Sequence, residues 1–209
     1  MHPIGIGETA RRVIGKDIAV TITEDIQEAA GPLQVCAGHI SGCEAAVHAM
    51  SQVSESQQTE AVLLVDASNT FNLLNCEAAL RSIQELFLSL SKIIINTNRE
   101  DSQFFIDGST LYSQEGTTQG DPLAMAMYAT AITPLTHQFQ GDGIKQAWYA
   151  DDATAGGSLK QHQWWNRIVE LGPDYGYFPN AMKTWLIAFF YQSKGTKIAK
   201  LMRYAPNSI

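Results

Sequence analysis

Apolar residues change period along this chain, and each change marks an expected element. Over residues 7–30, Ile14, Ile18, Ile22 and Ile26 recur every four positions, which predicts one amphipathic helix closed by Gly31-Pro32. Ser41-Gly42-Cys43-Glu44 has the form of a capping box, so a second helix is expected from there to about residue 53. A Ser/Gln/Glu-rich loop over 54–60 leads into Ala61-Val62-Leu63-Leu64-Val65, a continuous apolar run of strand length that ends on Asp66. Helical spacing returns from 72 to about 96. Phe104-Phe105-Ile106, Asp107-Gly108 and Thr110-Leu111-Tyr112 predict a hairpin on a two-residue turn. Pro122 suits the first turn of a helix over 123–138. Short strands over 144–149 and 153–155 should turn at Asp151-Asp152, followed by a helix over 159–171 and a strand over 183–190.

At 209 residues and 45% apolar content, the chain suits one sizeable core rather than two, and hence one globular unit. No apolar stretch reaches the length of a membrane span, and Met1-His2-Pro3-Ile4 lacks a signal-peptide pattern, so the expected location is intracellular. Three cysteines, Cys36, Cys43 and Cys76, form no framework spacing, and no disulfide is expected. Cys36, His39, Cys43 and His48 crowd a short span, yet their order is not that of a zinc knuckle, so they are read as ordinary packing residues. Trp148, Trp164, Trp165 and Trp185 could stack bases but are read first as core or partner-facing anchors.

The chemistry concentrates in three acids. Asp66 closes a strand, and Asp151 and Asp152 sit together far downstream at a strand turn. Carboxylates delivered in this way are what a pair of hard divalent cations requires: Mg²⁺ takes oxygen ligands in octahedral geometry, and two ions ~3.5–4 Å apart clamp an in-line phosphoryl displacement. An isolated acid pair is ordinarily a polar turn. Joined to Asp66 and the Gln119-Gly120-Asp121-Pro122 turn, it reads as a polymerase site. The net charge of −7 runs against nucleic-acid binding, although bound cations would neutralise part of it. Lys194, Lys197, Lys200 and Arg203 form one basic stripe at helical spacing, suited either to a phosphate backbone or to a solvated terminal segment.

Val65-Asp66-Ala67-Ser68-Asn69-Thr70-Phe71-Asn72, Glu115 through Leu123, Tyr149-Ala150-Asp151-Asp152, and Gly172-Pro173 through Lys183-Thr184 resemble, in order, successive motifs of reverse transcriptases. The likeness is strongest to enzymes of cellular retroelements such as non-LTR retrotransposons. It implies an α+β fold: a polymerase palm, an antiparallel sheet backed by helices, over residues 61–193, with partial fingers and connecting helices over 1–60, a C-terminal tail over 194–209 and no thumb. It implies an RNA-directed DNA polymerase that uses two Mg²⁺ ions (or Mn²⁺), an RNA template, a DNA primer and deoxynucleoside triphosphates, within a larger retroelement protein. By the same resemblance Asp66, Asp151 and Asp152 are metal ligands and catalytic, and Lys183 is catalytic beside the triphosphate. Ala67, Phe71, Gln119 and Gly120 line the nucleotide, with the Phe71 ring excluding a 2′-hydroxyl. His2 stands where such enzymes usually carry an arginine near the triphosphate, which favours the alternative of a non-catalytic palm-like remnant that binds nucleic acid or a protein partner.

Overall fold

The computed structural model describes residues 7–97, 102–140, 143–158, 161–191 and 196–204. His2 and the Pro3-Ile4 opening lie outside them, as does Lys194. The first expected helix is two: α1 (Thr9–Thr21) and α2 (Thr23–Ala30), broken at Ile22 with φ −102° and ψ 20°. The reason is local. The Thr21 hydroxyl donates to the Asp17 carbonyl, and the Thr23 hydroxyl to those of Ala19 and Val20, so side chains bond back to helix carbonyls on both sides of a third β-branched residue. Of the isoleucine stripe only Ile26 is fully buried, while Ile14 is 60% exposed.

The next helix is α3 (Gly42–Glu55). The expected capping box does not form, because Ser41 adopts a left-handed conformation (φ 55°) and its side chain caps nothing. The chain turns tightly there: a Cβ on Gly42 would lie 1.9 Å from the Val35 carbonyl oxygen. β1 (Ala61–Val65) follows as expected. The helical stretch after it divides into α4 (Thr70–Leu73), α5 (Cys76–Leu86) and α6 (Leu88–Thr97). Leu74 is extended, and the Asn75 side chain accepts from the Ala78 amide at 2.9 Å to begin α5 afresh.

β2 (Ser102–Ile106) and β3 (Ser109–Ser113) form a separate two-stranded sheet, with Asp107 and Gly108 both at positive φ (48° and 76°) as the predicted turn requires. Pro122 sits just ahead of α7 (Ala124–His137), whose residues are almost all buried. β4 (Lys145–Tyr149), β5 (Asp152–Gly157), α8 (Gln161–Leu171), a 3₁₀ turn at Gly172–Tyr175, β6 (Trp185–Tyr191) and β7 (Lys197–Arg203) complete the order. The basic stripe read at helical spacing is therefore a strand among the described residues, paired along its length with β6. Sheet pairing outweighs a spacing that spans only four side chains.

The main sheet has the order β4-β5-β1-β6-β7, and its pairs are antiparallel. Leu63, Val65, Ala153 and Ala155 from the sheet, with Ala79 and Ile83 of α5 and Met127, Ala131 and Ile132 of α7, belong to one continuous core. α3 covers the opposite face at Gly156, where Val53, Met50 and Val62 approach. Trp148, Trp164 and Trp165 are buried, while Trp185 is half-buried beneath the Arg203 guanidinium, 3.9 Å from the ring centre. The three cysteines are free thiols. No helix among the described residues is long and apolar enough to cross a membrane.

Candidate active site

Strand register brings the distant acids together. Val65 pairs with Ala153, so the next step along the same antiparallel ladder sets Asp66 level with Asp152. Beyond Asp66 the chain continues beside residues 178–180: Asn180 N–H donates to the Asp66 carbonyl (2.9 Å), Ser68 N–H donates to the Phe178 carbonyl (2.8 Å), and Ala67 bridges Pro179. Residues 180–184 then turn back on themselves, with the Lys183 amide and the Thr184 hydroxyl both donating to the Asn180 carbonyl. That turn carries Lys183 Nζ to 3.2 Å from Asp66 Oδ1.

The acidic turn is held from three sides. Ala150 lies in the left-handed region (φ 53°), a conformation that costs an alanine about 1 kcal/mol. The fully buried Gln34 amide meets both sides of that residue: Nε2 donates to the Ala150 carbonyl (3.0 Å) and Oε1 accepts from the Ala150 N–H (2.9 Å). The Thr70 hydroxyl donates to Asp151 Oδ2 (2.8 Å), and the Tyr177 hydroxyl donates to the Asp151 carbonyl (2.8 Å). Burial and the nearby acids push the Tyr177 phenol well above its ordinary range, which keeps it protonated as a donor. Burial likewise lifts the Cys36 thiol to about 12, so Cys36 is an inert neighbour of this turn.

The nucleotide-side residues converge from another direction. The Phe71 ring stacks on Tyr128 of α7, with centroids 4.6 Å apart and planes 25° from parallel. Thr117 N–H donates to the Phe71 carbonyl and Gly116 N–H to that of Leu74 (2.9 Å), fastening the loop that leads to Gln119 and Gly120 onto α4. Gly120 takes φ 105°, which side-chain-bearing residues rarely adopt. Asp121 caps α7's approach through Leu123 N–H (2.9 Å) and pairs with Arg11 (2.6 Å), so the turn is also tied to α1.

Partial desolvation, then the proximity of Asp151 and Asp66, raises the Asp152 carboxyl above its usual range although the residue is exposed, while Lys183 opposes the shift. A donor set of crowded hard carboxylates suits a divalent cation. The oxygens are not gathered into a ready cage: among the described residues, no three His, Cys, Asp or Glu side chains cluster closely enough to enclose a metal. Asp66 instead faces Lys183, and Asp151 accepts from Thr70.

The sign of the Asp152 shift gives a stability prediction. A carboxyl whose folded pKa exceeds its unfolded one resists ionisation in the fold, so its cost is absent at low pH and grows as pH rises through the ordinary carboxylate range. In chelator at pH 7, Asp152→Asn should melt about 1–2 °C above the parent, a small figure because the side chain is partly solvated. The difference should vanish near pH 3; a gain that persists there would assign it to something other than charge.

Gln34, Thr70, Tyr177 and Tyr128 had no part in the sequence-based site. Tyr177 lies inside the stretch from Gly172 to Lys183, and Thr70 beside Phe71, so both stand within the motifs that carry the resemblance. Gln34 carries no local signal at all.

Residues 1–197 match the family model described as reverse transcriptase (RNA-dependent DNA polymerase). No curated protein is significantly similar to the chain in sequence. Among solved structures, apo telomerase from Candida tropicalis superposes with a TM-score of 0.60 at 12% identity, covering 93% of this chain and 40% of that one. Telomerase from Candida albicans, in complex with a TWJ fragment of telomeric RNA, gives 0.56 at 14% identity, covering 82% and 34%. The corresponding complex from Candida tropicalis gives 0.57 at 14%, covering 88% and 33%. At such identities the likeness is one of fold, and the chain spans well under half of each telomerase chain. It shows the expected α+β palm, an antiparallel sheet backed by helices. With the family model matched over 1–197, the chain belongs to the reverse transcriptase (RNA-dependent DNA polymerase) family.

Proposed function

We propose that this chain is the RNA-directed DNA polymerase domain of a retroelement protein, adding deoxynucleotides to a primer 3′-hydroxyl along an RNA template. The observation that carries the reading is the register that sets Asp66 level with Asp152, with Lys183 Nζ 3.2 Å from Asp66. Residues 61–193 would act as palm, 1–60 as partial fingers and connecting helices, and 194–209 as a C-terminal segment whose β7 adds an edge strand to the palm sheet.

Asp66, Asp151 and Asp152 would hold two divalent cations, Mg²⁺ or Mn²⁺, which when bound neutralise the triphosphate and acidify the primer hydroxyl. Lys183, half exposed beside Asp66, is within reach of a triphosphate at the same edge and can supply charge or a proton to the departing pyrophosphate. Ala67, Gln119 and Gly120 would present backbone and a short amide to sugar and base. The Phe71 ring, fixed by Tyr128, would close the space beside the sugar's 2′ carbon.

Mg²⁺- or Mn²⁺-dependent incorporation of deoxynucleotides on primed RNA tests the reading, with an Asp66→Ala, Asp151→Ala double variant as control. Incorporation by the parent and none by the control is the expected result; equal incorporation by both would overturn it. Phe71→Ala should lower discrimination against ribonucleotides by about 10–100-fold, since discrimination by steric exclusion fails when the excluding ring is removed. Measured kcat/KM ratios for matched nucleotide pairs check this, and an unchanged ratio would strip Phe71 of the role.

The alternative, a palm-like remnant that binds nucleic acid or a protein partner without turnover, draws support from the ungathered carboxylates and the Asp66–Lys183 pair. It expects no incorporation by the parent in the same assay, whether the chain binds nucleic acid or a protein partner.

A further inference from the structure

A buried amide has two hydrogen-bonding edges to satisfy, and Gln34 spends both on the backbone of one residue of the acidic turn, bridging the peptide units on either side of it. The partner is 116 positions away in sequence. Gln34 itself is fixed by the backbone: Val35 N–H donates to the Trp148 carbonyl (2.9 Å) and Trp148 N–H donates to the Leu33 carbonyl (2.8 Å), so residues 33–35 run beside β4 as a short parallel bridge. The side chain thereby reaches past the end of β4 to Ala150, which sits between Tyr149, the last residue of that strand, and Asp151.

Ala150 is the only non-glycine residue at positive φ in the Tyr149–Asp152 turn, and its backbone sets the direction in which the following residues leave. An amide that bonds both its N–H and its C=O resists rotation of the peptide planes on either side. Core packing alone would be served by Leu or Met, which make no such demand and leave no buried polar group to satisfy.

We infer that Gln34 is a positioning residue for the acidic pair: its amide locks Ala150 in the left-handed conformation and so aims Asp151 and Asp152 for cation binding. The inference rests on the metal-dependent reading of the site, but it concerns how the turn is held and not which reaction follows. Thr70 and Tyr177 hold Asp151 itself, at its carboxylate and its carbonyl. Gln34 fixes the turn itself. Without it Ala150, having a Cβ, is free to relax toward negative φ, and the two carboxylates lose their common orientation.

The experiment compares the parent with Gln34→Leu and with the double variant Gln34→Leu, Ala150→Gly, since glycine accepts positive φ without the clamp. Hydrogen exchange over residues 149–153 should quicken about ten-fold in Gln34→Leu, while that over β1 stays within two-fold of the parent. Mn²⁺ titrated alone, followed by calorimetry, should bind Gln34→Leu about ten-fold more weakly, and the double variant should recover at least a third of the loss. Exchange that quickens equally in β1 would reveal general unfolding and overturn the assignment. So would unchanged Mn²⁺ affinity, a failure of glycine to rescue, or a parent that binds no Mn²⁺. A parent that binds Mn²⁺ but extends no primer sinks the polymerase reading and leaves the positioning role standing; a parent that extends a primer as well as Gln34→Leu does sinks the positioning role alone.

Discussion

Asp151→Ala should slow primer extension by about a thousand-fold, a loss of roughly 4 kcal/mol of transition-state stabilisation, which is what removing a ligand from a metal-assisted phosphoryl transfer costs. The size of the effect follows from the amount of structure built around this one carboxylate. Thr70 donates to its Oδ2, Tyr177 to its carbonyl, and the preceding residue is clamped in an unfavourable conformation by Gln34. Folds hold strained, fully bonded turns where function requires the geometry. The more informative variant is Asp151→Asn. It keeps an acceptor for Thr70 and removes only charge, so its melting temperature should stay within about 2 °C of the parent while extension falls as far as in Asp151→Ala. Loss of extension with stability retained assigns the defect to chemistry. Extension by Asp151→Asn at the parental rate would remove the charge of Asp151 from the reaction.

The parts of this architecture that were legible in sequence are those specified locally. An unbroken apolar run gave β1, and an Asp-Gly pair requiring two positive φ values gave the β2–β3 hairpin; the turn between β4 and β5 falls on Ala150-Asp151, one residue ahead of the expected Asp151-Asp152, so Asp152 begins β5. Motif order implied that Asp66, the Asp151-Asp152 pair and Lys183 would come near one another, and strand register and the Lys183 turn do bring them to one edge of the sheet; the roles given to them belong to the proposed function. Where the reading failed, one local signal masked another. Helical periodicity over 72–96 hid the extended Leu74 and the Asn75 cap, although a cap residue stood in the sequence. The four-residue isoleucine repeat hid two threonine hydroxyls that break the helix at Ile22. β7 was invisible for a different reason: its cations at 197, 200 and 203 fit a helix face, and only the open edge of β6 decides for a strand. Gln34 is the extreme case. Its role exists solely through a residue far along the chain, and no window containing it has a pattern.

Gly176→Ala should be the most damaging single methyl in the described part of the molecule. Gly176 has φ +76°, and a Cβ there would fall 1.9 Å from the Leu73 carbonyl oxygen and 2.6 Å from the Asn75 nitrogen, both backbone atoms that cannot swing aside. Gly108 provides the control, because it has the same φ of +76° with nothing within 4 Å of the added methyl. The conformational cost alone, about 1 kcal/mol, should lower the melting temperature of Gly108→Ala by no more than about 2–4 °C. Gly176→Ala adds the clash and should lose about 3 kcal/mol or more, or about 6–12 °C. Its damage should also reach the site. Asn75 N–H bonds the Tyr175 carbonyl, and Tyr177, the next residue after Gly176, donates to Asp151. A shift of this segment away from Leu73 therefore pulls the Tyr177 hydroxyl from the acidic turn, while residues 178–180, paired with Asp66 through Ser68, move with it. Equal melting temperatures for the two glycine variants would mean that the close approach to Leu73 is not maintained in solution, and with it the strut between the two halves of the site.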